Sequence, residues 1–228
     1  MPDARARKPR RTAGSQRRTP SQERSAELVR KVIEATAQVI GDVGLEATST
    51  NKIAARAGVA IGSIYQYFPN KETLIDALLD DRLHRLEALA ATRMEALKNR
   101  SYPEAADAMM RATIAFCEAE PGITAMLASR AVAPQPNSRD HALYQRVHAI
   151  ARTYLLAHAD HLTVDDVELA ATISTRVVAN FAPWIALSVT DHAERERHIV
   201  EVVRMLSLWV GAQQPQAVTT RRPARARR

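Results

Sequence analysis

Glycine is scarce in this chain, and its placement limits what the chain can fold into. Only seven glycines occur in 228 residues, and four of them, Gly41, Gly44, Gly58 and Gly62, lie within one stretch from 41 to 62. Beyond that stretch run long segments rich in Ala, Leu, Glu and Arg, a composition that favours helix. Alternating polar and apolar runs bounded by turn residues, the mark of strands, are absent. The expected fold class is all-α. The glycine cluster marks where helices must be short and the turns between them tight.

The first helix is expected over about 22–42. Leu28, Val32, Val39 and Val43 recur at helical spacing, flanked by Val29, Ile33, Thr36 and Ile40. Gly41 and Gly44 end it. Thr48 or Ser49 fits as N-cap of a short second helix through Ala57, and Gly58 makes the turn. A third short helix is expected over 60–68. Pro69 stops it, Asn70 caps the next helix, and Lys71 and Glu72 open that helix. Longer helices follow at about 71–98, 103–119, 121–131, 139–159, 164–189 and 193–210, with Pro103 and Pro121 in first turns. Pro183 predicts a kink. Pro134 and Pro136 mark a loop, and no repeat of 20–50 residues is present.

Two short helices joined by a glycine turn, behind a longer packing helix, make a helix-turn-helix. Ile53, Ala54, Ala57, Val59, Ile64 and Phe68 are spaced to form a small core against Val39, Ile40 and Val43. The remaining face of the third helix carries Ile61, Gly62, Ser63, Tyr65, Gln66 and Tyr67. Hydroxyls and backbone N–H groups reach phosphate oxygens, and Gln pairs bidentately with adenine. The chain has only ten aromatic residues, and three of them, Tyr65, Tyr67 and Phe68, sit together here. The spacing assigns the tyrosines to the outer face and Phe68 to the core.

Charge is distributed unevenly. The formal net charge is +7, but residues 1–20 contribute +6 and residues 212–228 contribute +5, leaving −4 for the body. Residues 21–70 are neutral. Basic tails attract polyanions, and phosphate neutralisation supplies most non-specific affinity for DNA. The expected organisation is a basic flexible arm (1–20), a helix-turn-helix domain (21–71), a second helical domain (72–211) and a basic flexible tail (212–228). No apolar run is long enough to span a membrane, and the first twenty residues lack the apolar stretch of a secretory signal. A cytoplasmic location is expected.

The stretch from Gly58 to Glu72, reading GVAIGSIYQYFPNKE, resembles the recognition region of the TetR/AcrR transcriptional regulators. The upstream Gly44 to Ser49 and Ile53-Ala54 fit the same pattern. The resemblance covers about residues 25–75. It implies that Thr48, Ser49, Thr50 and Asn51 open the second helix toward DNA. It also implies that Ile61, Gly62, Ser63, Tyr65, Gln66 and Tyr67 face the groove, and that Lys71 holds a phosphate. Two positions depart from the family pattern: Ala60 stands where a capping Ser or Thr is common, and Ile61 where a basic residue is common. Both lower the phosphate contacts expected, although Ile61 can meet a thymine methyl.

The resemblance further implies a homodimer on a double-stranded, pseudopalindromic operator, with a small-molecule effector held in the second domain. Candidate pocket residues are apolar or adaptable (Met109, Met110, Phe116, Cys117, Met126, Trp184) or polar (Thr113, Tyr144, His148, Arg152, Thr175, Arg176, Asn180). Ordinary core packing is the competing reading for each. Arg176 and Asn180 form an i, i+4 polar pair in an apolar stretch, open to an acidic or hydrogen-bonding ligand or to an intersubunit contact. Ile199, Val202, Val203, Leu206 and Val210 form an apolar stripe expected at the dimer interface. No cofactor and no structural metal are expected: His158 and His161 fall at a helix end, and His141 and His148 lack a clear third ligand.

The leading reading is therefore a ligand-responsive DNA-binding repressor. No nucleophile elbow, P-loop, dinucleotide fingerprint or zinc signature supports an enzyme. The alternative is a sequence-nonspecific nucleic-acid or architectural protein driven by the tails.

Overall fold

The computed structural model describes residues 20–130 and 139–211. The expected arm (apart from Pro20), the expected tail, and the loop with Pro134 and Pro136 lie outside the described residues. Among those described, every regular element is a helix: α1 (Pro20–Ala47), α2 (Thr50–Ala57), α3 (Ile61–Tyr65), α4 (Lys71–Leu97), α5 (Tyr102–Ala119), α6 (Pro121–Arg130), α7 (Arg139–Ala157), α8 (Val167–Ser188) and α9 (His192–Val210). A single 3-10 turn, Ala159–His161, follows α7.

Local signals set the boundaries. Gly44 takes φ 77°, so the regular part of α1 ends at one of the two glycines expected to end it. Ser49 caps α2, its side chain accepting from the Lys52 N–H, and Gly58 turns the chain with φ 66°. Asn70 caps α4 by accepting from the Thr73 N–H at 2.8 Å. Ser101 precedes α5, where the Glu104 carboxylate accepts from the Ser101 N–H at 3.0 Å and from its hydroxyl at 2.8 Å. The third helix is shorter than expected, because Ala60 supplies no side-chain cap and the helix closes at Tyr65. The expected kink at Pro183 does not interrupt α8.

Three apolar clusters hold the helices. The first joins α1, α2 and α3 through Val32, Ala35, Val39, Ile53, Ala54, Ile64, Phe68 and Leu74. Burying Ile64 completely contributes about 1.5–3 kcal/mol. The second joins α1, α4 and α6 through Ile40, Ile75, Leu78, Leu79, Ile123 and Met126. The third is the large core of α5, α7, α8 and α9. Two expectations change here. Ile40 belongs to the second cluster rather than the first, and Val43 is exposed, because Gly44 ends the helical register that would have turned it inward.

Helix α4 crosses the boundary drawn at 71/72. Leu74 packs in the first cluster and Leu78 in the second. Leu86, Ala90 and Met94 face a cavity further along. One rod therefore links the helix-turn-helix to the larger core. Beside it lies a buried ion pair. Arg82 on α4 donates through Nη1 to Glu120 at the end of α5, and through Nη2 to Phe116 O (3.1 Å) and Thr124 Oγ1 (2.9 Å). Its guanidinium lies 4.4 Å over the Phe116 ring. Burial lowers the Arg82 pKa and the Glu120 charge pulls it back up. Next to this clamp α6 meets α1 closely: a Cβ on Gly122 would lie 2.9 Å from Gly41 Cα.

Candidate nucleic-acid interface

Once α1, α2 and α3 close on their core, one surface remains facing outward. Ile61, Gly62, Tyr65 and Gln66 are exposed on α3, with Asn51 exposed and Thr50 half-buried on α2. Beneath them Ile64 and Phe68 are buried, which fixes the short helix by its inner side. The combination can do what groove reading needs: an apolar contact, a phenol, an amide and a residue without a side chain, all on a rigid support.

The other expected contacts are partly committed within the protein. Thr48 is buried, and its hydroxyl donates to Gly44 O at 2.7 Å. Ser49 serves as the α2 cap and Ser63 is half-buried. Tyr67 is exposed, but its hydroxyl donates to Ser25 Oγ at 2.9 Å and ties the end of α3 to the start of α1. Lys71 Nζ donates to Leu45 O at 2.8 Å. Thr48, Ser49, Tyr67 and Lys71 thus help to position the motif, and the hydroxyl donors of Thr48 and Tyr67 are already in use. Spacing places Tyr67 on the outer face, where it is exposed, and the family resemblance points to Lys71, which is half-buried; neither carries a sign of the distant oxygens that hold them. Arg24, exposed and next to Ser25, was not among the expected contacts, although it stands at the same end of the surface.

In the larger core, a cavity of about 110 Å³ opens between α4, α5, α7 and α8. Of the expected pocket residues, Met109, Thr113 and Thr175 line it. Met110 is fully buried in the core instead, Phe116 carries Arg82, Cys117 is buried, and Met126 packs between α1, α4 and α6. Burial raises the Cys117 pKa. The polar candidates form a seam that joins α7 to α8. Tyr144 donates to Thr172 O, the His148 ring meets Thr172 Oγ1 at 3.1 Å, and Arg152 pairs with Glu168. Arg176 lies 3.9 Å over the Tyr144 ring, and Asn180 donates back to Arg176 O. Neither Arg176 nor Asn180 lines the cavity, because each has found a partner on its own or the adjoining helix. Lining residues that sequence reading missed include Ala105, Ala106, Ala151, Tyr102, Tyr154 and Ser174. Among the described residues no cluster of three or more His, Cys, Asp or Glu is placed to hold a metal, and no helix is long and apolar enough to cross a membrane.

The stripe expected at the dimer interface is also corrected. Ile199, Val202, Val203, Leu206 and Val210 are buried in the chain's own core. What α8 and α9 leave exposed is another set, which includes Phe181, Trp184, Leu187, Met205, Leu208 and Trp209. Trp184 bridges the two helices by meeting the His198 ring edge-on at 5.0 Å.

Comparison with known proteins bears on this arrangement. A family model described as "Bacterial regulatory proteins, tetR family" matches residues 32–78, and one described as "Tetracyclin repressor-like, C-terminal domain" matches residues 101–208. The chain belongs to the TetR family. That family is one of bacterial regulatory proteins, and the first match falls on the N-terminal helix-turn-helix. Curated relatives match part of the chain. The chain is 36% identical over 101 residues to the HTH-type transcriptional regulator BetI of Escherichia coli, covering 38% of this chain and 52% of that protein. It is 31% identical over 109 residues to the nucleoid occlusion factor SlmA of Pasteurella multocida, covering 46% of this chain and 53% of that protein. The chain thus spans about half the length of these curated relatives. The fold is shared with the crystal structure of a TetR-family transcriptional regulator from Streptomyces coelicolor, at TM-score 0.59 and 23% identity, over 82% of this chain and 97% of that one.

Proposed function

We propose that this TetR-family regulator is a dimeric repressor that reads a pseudopalindromic operator with α3 and releases it when a small molecule fills the α4–α5–α7–α8 cavity. The observation that carries the reading is the exposed set Ile61, Gly62, Tyr65 and Gln66 on a helix whose inner side is fully buried. In this reading Tyr65 and Gln66 supply base and phosphate contacts, and Gly62 lets the backbone approach a phosphate. Thr50 and Asn51 flank them. Tyr67 acts by tying the end of α3 to the start of α1, and Lys71 by tying the start of α4 to the end of α1.

A second copy would supply the second recognition helix, one DNA turn away. The apolar faces of α8 and α9, centred on Trp184, Met205 and Leu208, are the surface we assign to it. Helix α4 supports the ligand response, because the same rod forms part of the helix-turn-helix core and of the cavity wall. A molecule that shifts α4 changes the spacing of the two recognition helices, and its differential affinity for the two arrangements sets the response.

Selection from random duplexes, followed by gel shifts at two salt concentrations, tests this reading. A pseudopalindrome should be enriched. Tyr65→Ala and Gln66→Ala should each weaken binding to it by about tenfold or more without lowering the melting temperature. Equal affinity for all sequences would refute the reading and favour a nonspecific nucleic-acid binder.

A further inference from the structure

The cavity walls are of one chemical kind. None of the lining side chains is charged, and most are Ala, Val, Leu, Ile or Met. Nearly every hydroxyl near it is in use. The Tyr102 hydroxyl and Ser174 Oγ share a hydrogen bond at 2.7 Å, Tyr154 donates to Arg100 O at 2.7 Å, and Thr113 donates to Met109 O at 2.8 Å. Burial pushes the Tyr154 pKa up to about 12 and raises that of Tyr102, so both phenols stay neutral. Thr175 differs. It lines the cavity, it is 7% exposed, and its Oγ1 has no partner. Elsewhere in this protein a buried helical hydroxyl turns back to the carbonyl four residues earlier, as Thr36 does to Val32 and Ser207 to Val203, each at 2.7 Å. Thr175 forgoes that bond. A buried hydroxyl left unpaired is costly unless something else satisfies it.

We propose that the cavity takes an uncharged, mainly apolar molecule bearing one hydrogen-bonding group, and that this group meets Thr175 Oγ1. The proposal rests on reading the cavity as the effector site. Charge is excluded because no opposite charge lines the walls, and an ion brought there would lose its hydration without compensation. Nearby ionic groups are engaged outside the cavity, Arg152 with Glu168 and Arg176 over Tyr144. Size is limited as well. A volume of about 110 Å³ is smaller than the apolar cavity of about 150 Å³ that holds benzene, so a single-ring molecule enters with its substituent toward the open side. Entry is from the α4–α7 side, where Met94, Ile150 and Tyr154 also line an open groove.

The test uses four probes of similar size on the full-length protein: ethylbenzene, acetophenone, benzoate and benzylamine. Isothermal titration should rank acetophenone first, about fivefold tighter than ethylbenzene. Benzoate and benzylamine should bind at least about 100-fold more weakly than acetophenone. Thr175→Val keeps the shape and should bind ethylbenzene as before, while the preference for acetophenone disappears. Thr175→Ser should retain the preference, and unchanged melting curves confirm that both variants fold. The proposal is overturned if either ion binds as tightly as acetophenone, if Thr175→Val keeps the preference, or if neither neutral probe binds. A gel shift separates the underlying reading. If the ranking holds but saturating acetophenone leaves DNA affinity unchanged, the ligand chemistry stands and the effector role falls.

Discussion

Replacing Glu120 with Gln removes one charge from the clamp between α4 and the α5–α6 turn, and its cost can be worked out from the contacts. Arg82 is 2% exposed, so its charge cannot relax into water. Stranding a buried ion by removing its partner costs about 3–5 kcal/mol. Two features reduce that here. The Arg82 guanidinium keeps Phe116 O, Thr124 Oγ1 and the face of the Phe116 ring. The Glu120 side chain is 24% exposed, and the Gln oxygen still accepts a hydrogen bond. The expected loss is about 1.5–2.5 kcal/mol. Arg82→Met removes the charge that Glu120→Gln strands, and it leaves Glu120 with Arg85, whose Nη2 lies 3.1 Å away. The double variant should therefore cost less than the sum of the singles, with a coupling of about 1–2 kcal/mol. Urea unfolding of the full-length protein measures this, at one protein concentration because association of copies would move the midpoint. Additivity within about 0.5 kcal/mol would refute the claim that this pair clamps α4 to the turn.

Further predictions concern helix contacts, pH and association. Gly122→Ala should destabilise the protein by about 1–2 kcal/mol, because its Cβ meets Gly41 backbone at 2.9 Å. Gly62→Ala meets nothing within 4 Å and should stabilise by roughly 0.5–1 kcal/mol while weakening DNA binding; paired melting curves and gel shifts check both. Glu104 has its pKa lowered by the Ser101 N–H and then by the Ser101 hydroxyl, so its contribution is present above the ordinary value of 4.5 and is lost as pH falls through the lowered one. Denaturation midpoints should accordingly favour wild type over Glu104→Gln at pH 7, with the difference shrinking as pH falls below 4.5 and through the lowered pKa. Leu208→Glu should yield monomers in sedimentation with the fold intact, whereas Leu206→Ala should cost about 2–5 kcal/mol of stability, because Leu208 is 70% exposed and Leu206 is 2% exposed. A dimer unaffected by Leu208→Glu would rule out the α8–α9 face.

What was legible in the sequence was whatever a few neighbouring residues decide. Gly58 and Asn70 mark helix ends by conformation and by capping, and both stand where they were expected. The inner side of the helix-turn-helix was readable for the same reason: Ile53, Ala54, Ile64 and Phe68 have the spacing that a small core needs. Contacts between distant segments were not readable. Lys71 and Leu45, Tyr67 and Ser25, and Arg82 and Glu120 meet only after folding, and the spacing of any one of these residues says nothing about its partner. Helix α9 shows a subtler limit. It is apolar on two sides, and the more regular stripe, from Ile199 to Val210, was expected to face a second subunit. The chain's own core has first claim on such a stripe, because an intramolecular contact does not lose the translational freedom that association costs. The less regular face, with Met205, Leu208 and Trp209, is the one left over.

The cavity shows the opposite limit. Of the conspicuous side chains weighed between pocket and core, Met110, Phe116 and Met126 fill space and so pack the core. Space remains where side chains are small, and Ala105 and Ala106 on α5, Ala151 on α7, and Ser174 and Ala179 on α8 all line it. In a helical protein with few aromatic residues, facing positions occupied by Ala and Ser on three adjoining helices cannot reach one another across the normal interhelical distance of 8–10 Å unless the helices close in. Helix α4 forms the remaining wall, and it is fixed at one end by Leu74 in the helix-turn-helix core and at its middle by Arg82 on Glu120. The cavity and the proposed DNA-reading surface thus share one element, because α4 lines the cavity through Leu86, Ala90 and Met94 and packs Leu74 beneath α3.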